Sequence, residues 1–274
     1  AQVRALQEEL DETNRGVVAL YAELDEQGIQ LKRSTELKSR FLAYMSHEFR
    51  APVNSIRSIA RLLMDRVDGP LTDEQQRQVQ FIQSAALEFS EMVDDLLDLA
   101  KIEAGRVAIS PAWFEMVDLF SALRGMFRPM LENHAVTLIF EEPVGPSRLY
   151  TDDRKVSQIL RNFVSNALKF TEAGEVRVAA RPEGDSHVRF SVSDTGIGIA
   201  REHLTAVFDD FSQVDSPIQK RLRGTGLGLA LGRELATLLG GEVGVESELG
   251  KGSTFFLVLP VQVQAPAPSE EPAP

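Results

Sequence analysis

The sequence predicts an α+β protein in which a coiled coil and a helical hairpin precede a mixed α/β domain. Up to about residue 105, apolar side chains recur every three or four residues, which is the period of amphipathic helices. From about residue 110, short β-rich runs alternate with helical stretches, and glycine clusters lie between them. These changes predict domains at residues 1–38, 39–107 and 111–261, and a disordered tail at 262–274.

Residues 1–38 are predicted to form a coiled coil. Their apolar residues follow the seam of a heptad repeat, and these are Val3, Leu6, Leu10, Val17, Leu20, Leu24 and Leu31. Asn14, Gly16 and Gly28 interrupt the repeat, so the predicted zipper is marginal. Because the helical pattern starts without a capping signal, we expect the chain to be part of a longer protein with an upstream domain.

Residues 39–107 are predicted to form two long helices joined by a turn at residues 68–70, where Asp-Gly-Pro breaks the helical pattern. Thr72 and Gln75 have the spacing of a capping box that opens the second helix, which we expect to end near Gly105. Each helix carries a continuous apolar stripe, and one hairpin cannot bury both stripes. Pairing of two hairpins in a four-helix bundle buries them, so the sequence predicts a homodimer.

The predicted α/β domain contains five strands and three helices, with the sheet covered on one side by helices. The strands are predicted at Val136 to Phe140, Val176 to Ala180, Val188 to Val192, Gly241 to Glu246 and Thr254 to Leu259. The helices are predicted at 117–133, 153–170 and 226–239.

Composition excludes several classes of function. The net charge of −12 argues against a nucleic-acid surface, because binding to phosphate depends on Lys and Arg. The absence of cysteine excludes disulfides, thiolate metal sites and cysteine nucleophiles. No run has the length of a membrane span and no signal peptide opens the sequence, so we expect a cytoplasmic location. A membrane anchor elsewhere in a longer protein is compatible with this expectation.

A histidine in an unusual setting lies within the first long helix, in the run Ser46-His47-Glu48-Phe49-Arg50-Ala51-Pro52. Pro52 lacks an N–H, and a proline in a helix interior costs about 3 kcal/mol. We expect a kink there that holds His47 outward. Glu48 is placed to orient the imidazole or to take its proton while the other ring nitrogen attacks phosphorus. Without this setting, a surface histidine on a charged helix would be the simpler interpretation.

A polar face on the helix predicted at 153–170 suits the phosphate end of a nucleotide. Asn162, Asn166 and Lys169 are spaced by four and three residues, so they share one face. Amide oxygens are hard ligands for Mg²⁺, and an ammonium group can bind phosphate. The alternative is an ordinary solvated face.

Asp194, Gly196 and Gly198 directly follow an apolar strand. A carboxylate there can accept a hydrogen bond from an adenine amino group, and the glycines let a planar base approach the backbone. Taken alone, this pattern is equally typical of a turn.

The run Gly224-Thr225-Gly226-Leu227-Gly228 opens the last predicted helix and follows Lys220 and Arg221. Amides at a helix N-terminus attract phosphate, and glycines allow phosphate oxygens to come close. Between this run and Asp194, Phe208 and Phe211 predict either a lid anchored by aromatic rings or a loop fixed to the core. The run at 250–255 does not have the spacing of a P-loop, and we reject that interpretation.

The segment around His47 resembles the phosphoacceptor box of sensor histidine kinases, which act in two-component systems. The later segments resemble, in the same order, the N, G1, F, G2 and G3 boxes of the ATP-binding domain of these kinases. The resemblance spans about residues 39 to 261. It implies a dimeric four-helix bundle followed by an α/β sandwich of the histidine kinase and topoisomerase type. The predicted nucleotide contacts are Asn162, Asn166, Lys169, Asp194, Gly196, Gly198, Lys220, Arg221, Gly224, Thr225, Gly226, Leu227, Gly228 and Thr254, with Asn166 and Asn162 near Mg²⁺.

The resemblance also implies an activity. ATP phosphorylates His47, and the phosphoryl group passes to an aspartate on the receiver domain of a response regulator. The coiled coil would transmit a signal from an upstream sensor domain. A scaffold that senses ATP and a free-standing ATPase are the alternatives, and the sequence does not decide whether transfer occurs within or between protomers.

Ala51 and Asn162 bear on two side reactions, dephosphorylation of the regulator and hydrolysis of ATP by water. The family commonly has Thr or Asn where this chain has Ala51, and that side chain helps to position water for dephosphorylation of the regulator. Alanine cannot do this, so the resemblance predicts weak phosphatase activity. Related ATPases place a glutamate where this chain has Asn162, so attack by water is disfavoured and a nucleophile from another domain is favoured.

Overall fold

The helical part of the molecule is a hairpin of two long helices, α1 (Gln2–Met64) and α2 (Asp73–Glu103). The computed structural model describes residues 2–67, 69–131, 135–209 and 226–263. Helix α1 continues without a break through Pro52. No helix within these ranges is long and apolar enough to cross a membrane.

The start of α2 confirms the predicted capping box. The backbone N–H of Gln75 donates to Thr72 Oγ1 over 3.3 Å, and the N–H of Thr72 donates to Gln75 Oε1 over 2.9 Å. Two backbone donors that the helix leaves unpaired are thereby satisfied. The turn before it needs positive φ angles, at Arg66 (57°) and Gly69 (124°).

Helices α1 and α2 pack against each other along an apolar seam with polar contacts at its margin. Val53 on α1 is buried, as are Val93 and Leu97 on α2. Arg50 Nη2 lies 2.8 Å from Asp94 Oδ1, and this ion pair joins the two helices one turn from position 47. The ring centroids of Phe49 and Phe89 are 5.7 Å apart in an edge-to-face arrangement.

The α/β domain follows a short hinge. Its strands are β1 (Ala112–Glu115), β2 (Val136–Phe140), β3 (Arg148–Thr151), β4 (Gly174–Glu183), β5 (His187–Asp194), β6 (Glu242–Glu248) and β7 (Gly252–Pro260). Its helices are α3 (Met116–Phe127), α4 (Asp153–Phe170) and α5 (Gly228–Leu238), with short 3-10 turns at Arg128–Met130 and Arg201–His203.

Five strands form the main sheet in the order β2-β4-β5-β7-β6. Strands β2 and β4 are parallel, and every other neighbouring pair in this sheet is antiparallel. Helices α3, α4 and α5 bury their apolar faces in one core with the strands, where Leu123, Phe163 and Leu257 are fully buried. This arrangement confirms the predicted α+β class and all five predicted strands.

A second, two-stranded sheet was not predicted. Strand β1 pairs antiparallel with β3, so that Trp113 lies opposite Tyr150. Tyr150 also pairs with the end of the chain, because its carbonyl accepts from Val263 N over 2.9 Å. Val263 is buried, so ordered contacts extend two residues beyond the predicted domain end at residue 261.

The hinge is the segment that links α2 to β1, and Asp152 fixes the end of it that lies next to β1. This carboxylate is buried and accepts from Lys155 N over 3.2 Å, which caps α4. It also accepts from Ser110 N over 2.9 Å. At the other end of the hinge, Gly105 (φ 64°) and Arg106 donate to the carbonyls of Ile102 and Lys101 and cap α2. The backbone that can pivot therefore lies between Arg106 and Ser110.

Replacement of Asp152 tests this double role. We expect Asp152→Ala to lower the free energy of unfolding by about 1–3 kcal/mol, because α4 loses its cap and the Ser110 N–H loses its acceptor. Urea denaturation followed by circular dichroism measures the change. Asp153→Ala is the matched control, since Asp153 is exposed and caps nothing. Equal losses in both variants would contradict the assignment.

Candidate functional site

Helix α4 carries the polar residues predicted to meet a nucleotide. Asn162 and Asn166 are half-buried on a helix whose opposite face fills the core. Asn162 Nδ2 donates to the carbonyl oxygen of Gly228 over 2.9 Å, which joins α4 to the first residue of α5. Since the nitrogen makes this bond, the geometry orients the Asn162 amide and leaves its oxygen as the acceptor atom. At the end of the helix, burial lowers the pKa of Lys169, and the charge of Glu88 on α2 opposes that shift.

Asp194 ends β5 and organises the backbone around it. Its Oδ1 accepts from Gly196 N over 2.8 Å and from Ser253 N over 3.3 Å. Burial raises the pKa of Asp194, and these two N–H donors oppose the rise because they favour the carboxylate. The side chain thus ties the loop after β5 to the start of β7.

The loop after β5 lies directly against the end of α4. Ile197 N donates to the carbonyl of Phe170 over 3.3 Å, and a Cβ at Gly196 would collide with that same carbonyl. Gly198 has a φ of 66°. Glycine is therefore required at position 196 because a Cβ has no space there, and at position 198 because of the positive φ angle.

A pair of serines supports this loop, and sequence reasoning missed it. Ser247 Oγ accepts from Ile199 N over 2.8 Å and lies 2.9 Å from Ser253 Oγ. Nearby, Thr254 Oγ1 donates to Ser193 Oγ over 2.9 Å, which places the predicted contact residue Thr254 beside the Asp194 strand end. Ser247 and Ser253 flank a glycine-containing turn, and such residues give no signal beyond a turn in the sequence.

The glycine run at residues 224–228, here called the second glycine loop, is described by the structure only from Gly226 onward. Gly226 has a φ of 71°, Leu227 is buried, and Gly228 begins α5. The predicted contacts at Lys220, Arg221, Gly224 and Thr225 lie outside the described residues, as does Phe211. Phe208 is buried with its ring centroid 6.3 Å from that of Phe255, so this ring is fixed to the core.

The residue predicted to accept the phosphoryl group lies on α1, the first helix of the hairpin. Position 47 is within α1, although the side chain of His47 lies outside what the structure describes. Glu48 and Ala51 are exposed on the same helix. Ser55 Oγ donates to the carbonyl of Ala51 over 3.1 Å, beside the position where Pro52 has no N–H to give.

The three motifs of the α/β domain therefore meet around one helix. The Asn162 amide bonds to the start of α5, and the Phe170 carbonyl bonds to the loop after Asp194. The donor set suits a nucleotide with Mg²⁺, because amide oxygens are hard ligands and the phosphates would supply the negative charge. Among the described residues, no cluster of three or more His, Cys, Asp or Glu side chains is placed to hold a metal ion.

Family models match both parts of the chain. Residues 37–105 match the His Kinase A (phospho-acceptor) domain, and residues 151–263 match the histidine kinase-, DNA gyrase B- and HSP90-like ATPase. The chain belongs to the sensor histidine kinases. Both the helical phosphoacceptor region and the α/β ATPase domain expected for this family are present.

Curated relatives agree with this assignment. The chain is 36% identical over 239 residues to the Autoinducer 2 sensor kinase/phosphatase LuxQ of Vibrio parahaemolyticus, which covers 85% of this chain and 28% of LuxQ. It is 35% identical over 259 residues to the Non-motile and phage-resistance protein of Caulobacter vibrioides, which covers 92% of this chain and 30% of the relative. The chain thus spans less than a third of the length of these relatives.

Solved structures share the fold. Full-length ShkA in complex with AMPPNP has a TM-score of 0.67 at 34% identity, over 83% of this chain and 47% of ShkA. The histidine kinase AdeS of Acinetobacter baumannii has a TM-score of 0.56 at 20% identity, over 78% of this chain and 98% of AdeS. The second likeness concerns the fold alone.

Replacement of Asp194 tests the site through binding. We expect Asp194→Asn to weaken binding of a fluorescent ATP analogue roughly 10- to 100-fold, because hydrogen bonds to a charged group contribute about 1.5–3 kcal/mol. Fluorescence titration measures the dissociation constant. Asp185→Asn, an exposed aspartate in the turn between β4 and β5, is the matched control. Unchanged affinity in a folded Asp194→Asn protein would remove Asp194 from the site.

Proposed function

We propose that this protein phosphorylates its own His47 with ATP and passes the phosphoryl group to an aspartate of a response regulator. The observation that carries the proposal is the position of α4. One of its asparagines is bonded to Gly228 at the second glycine loop, and its last carbonyl is bonded to the loop that follows Asp194. A ligand with a planar base at one end and phosphates at the other fits between these loops.

Each residue of the site has a proposed role. The Asp194 carboxylate accepts a hydrogen bond from the adenine amino group, next to the glycines at 196 and 198. The triphosphate extends past Asn162, Asn166 and Lys169 toward the amides at the start of α5, with Thr254 at the base end. The residues outside the described ranges, Lys220, Arg221, Gly224 and Thr225, complete the contacts to phosphate.

Asn166 would hold Mg²⁺, with Asn162 beside it, and the bound ion would neutralise charge on the phosphates. The described orientation of the Asn162 amide supports this proposal, because its oxygen is the atom left to act as a ligand or to bind a metal-bound water.

The chemical step is an in-line displacement at the γ-phosphorus. One ring nitrogen of His47 forms a bond to phosphorus as the bond to the bridging oxygen breaks, and ADP leaves. The Glu48 carboxylate takes the proton from the other ring nitrogen. In the second reaction, the N–P bond breaks and an aspartate oxygen of the receiver takes the phosphoryl group. Positioning and charge neutralisation supply most of the rate.

A homodimer is the proposed working form. Large apolar side chains are exposed along both helices of the hairpin, including Ile59 (59%), Leu62 (50%) and Phe81 (76%). A second copy would cover these faces in a four-helix bundle. The solved complex of the histidine kinase ThkA with the response regulator TrrA, at a TM-score of 0.57, supports a receiver domain as the partner.

The activity is tested with radiolabelled ATP. Incubation of the purified protein with Mg²⁺ and γ-labelled ATP should produce label that is stable in alkali and lost in acid, as phosphohistidine is. His47→Gln should abolish the label while leaving nucleotide affinity unchanged. The control is His187→Gln, which alters a histidine in the β4–β5 hairpin. Label that persists in His47→Gln would contradict the proposal, and steady release of phosphate from that variant would favour an ATPase.

Replacement of Ala51 tests the expected effect of this position on dephosphorylation of the regulator. Ala51→Thr should raise the rate at which the protein dephosphorylates its phosphorylated regulator, because a hydroxyl one turn after His47 can position water. Autophosphorylation should change little. Release of phosphate from the labelled regulator measures the effect, with Ala51→Val as a control of similar shape and no hydroxyl. Equal rates in the three proteins would show that position 51 does not limit the reaction.

A further inference from the structure

The C-terminal half of α2 contacts the α/β domain as well as α1. Leu97 faces α1, and Leu99 lies about 200° further around the helix, on the far side from that partner. Leu99 is nevertheless buried. Helix α2 contacts α5, and Ile102 packs against the core of the α/β domain. A second face of α2 is therefore covered by the domain that follows it in the chain.

This second face is acidic. Glu88, Glu91, Asp95 and Asp98 are spaced by three, four and three residues, so they lie along one side of the helix. Asp94 is separate from this stripe, because its carboxylate is paired with Arg50 on α1. We name the four residues at 88, 91, 95 and 98 the acidic stripe.

The acidic stripe faces α4. Gln158 Nε2 donates to Asp98 Oδ2 over 3.3 Å. Arg161 acts electrostatically on Asp95, and Glu88 acts on Lys169. In these three pairs the residue on α2 moves from 98 to 95 to 88 as the residue on α4 moves from 158 to 161 to 169. The two helices are therefore antiparallel. The ten residue steps from 88 to 98 span about 15 Å and the eleven steps from 158 to 169 span about 16 Å, so the registers agree.

The charges in this contact are only partly compensated. Burial raises the pKa of Asp95 to about 6, with Asp98, Glu91 and Asp94 adding to the rise and Arg161 opposing it. On α4 the stripe faces two cations, Arg161 and Lys169, and on α2 Lys101 pairs with Asp98 over 3.0 Å. Four carboxylates therefore meet three cations, and further negative charge nearby would be repelled.

The two helices that meet α2 are the ones that frame the proposed nucleotide site. Helix α4 carries Asn162, Asn166 and Lys169, and α5 begins at Gly228, where the second glycine loop ends. A triphosphate bound there would take Lys169 as a partner and would bring its charges toward the acidic stripe. Docking of α2 and loading of nucleotide therefore oppose each other.

We propose that the acidic stripe is a docking surface for the ATP-binding domain of the same chain, and that Mg-ATP and docking compete. The inference rests on the proposed function, because it needs the triphosphate to lie along α4. In the docked arrangement the domain is held on α2, and nucleotide binding releases it for movement about the hinge before Ser110.

Cysteine pairs test the docking directly, since the natural sequence contains no cysteine. The pair Asp98→Cys and Gln158→Cys should be joined within the chain by a short bis-maleimide cross-linker in the absence of nucleotide, because the two native side chains meet over 3.3 Å. Saturating Mg-AMPPNP should slow formation of this cross-link at least roughly threefold. The pair Glu74→Cys and Gln158→Cys is the control, because Glu74 is 24 residues earlier on α2, or about 36 Å away, and should not react.

Charge removal gives the second measurement. Glu88→Gln combined with Asp98→Asn should tighten Mg-AMPPNP binding roughly three- to tenfold, as expected for loss of two partly exposed charges near a phosphate. The matched control combines Asp65→Asn and Glu74→Gln, two exposed carboxylates outside the stripe. It changes the net charge equally and should leave the affinity within twofold.

The outcomes separate the two proposals. If the unmodified chain does not bind Mg-AMPPNP, the proposed function fails. If it binds the nucleotide, but the 98–158 cross-link does not form, links two chains only, or forms equally fast with nucleotide, the docking proposal is wrong. Equal affinities in the stripe variant and its control would also overturn it.

Discussion

The carboxylate of Asp194 is the interaction on which the α/β domain's site depends. It is partly buried at the end of a central strand, and it holds the N–H groups of Gly196 and Ser253. Those two bonds fix the loop after β5 against the start of β7. A shorter side chain could not reach both donors, and the amide oxygen of an asparagine would bind them less strongly than the charged carboxylate does. Both donors use Oδ1, so Oδ2 is the atom that the proposed hydrogen bond from adenine would use.

Helix α4 has two opposite faces, one that packs into the core and one that carries the polar residues of the site. Ile159, Phe163 and Val164 are fully buried and fix the helix in the core. The helix cannot rotate without exposing them, so the orientation of the polar face follows from hydrophobic burial. The bond from Asn162 to Gly228 then transmits this rigidity to α5. A catalytic surface built on a helix in this way is held more exactly than one on a loop.

The sequence predicted the elements well where local signals were strong. The bounds predicted for α4, 153–170, are those observed, and the structure shows that Asp152 caps its start. Strands β1 and β3 were missed because each has four residues and they pair across more than thirty residues of chain. The support from Ser247 and the contact of α2 with α4 were also missed. Both depend on which distant segments meet, and side-chain types alone do not determine that.

Competition between docking and nucleotide would give the chain a route for regulation that requires no new site. By linkage, docking weakens nucleotide binding by the same factor as nucleotide weakens docking, so an event that weakens docking strengthens nucleotide binding by up to that factor. Helix α1 is placed to provide such an event, because Leu31 and Thr35 line a groove of about 310 Å³ together with Glu103 and Arg106 at the start of the hinge. A shift of α1 at Leu31 and Thr35 would act on the end of α2, where Ile102 meets the core of the ATP-binding domain. Helix α1 would thus change the accessibility of the site without touching the nucleotide.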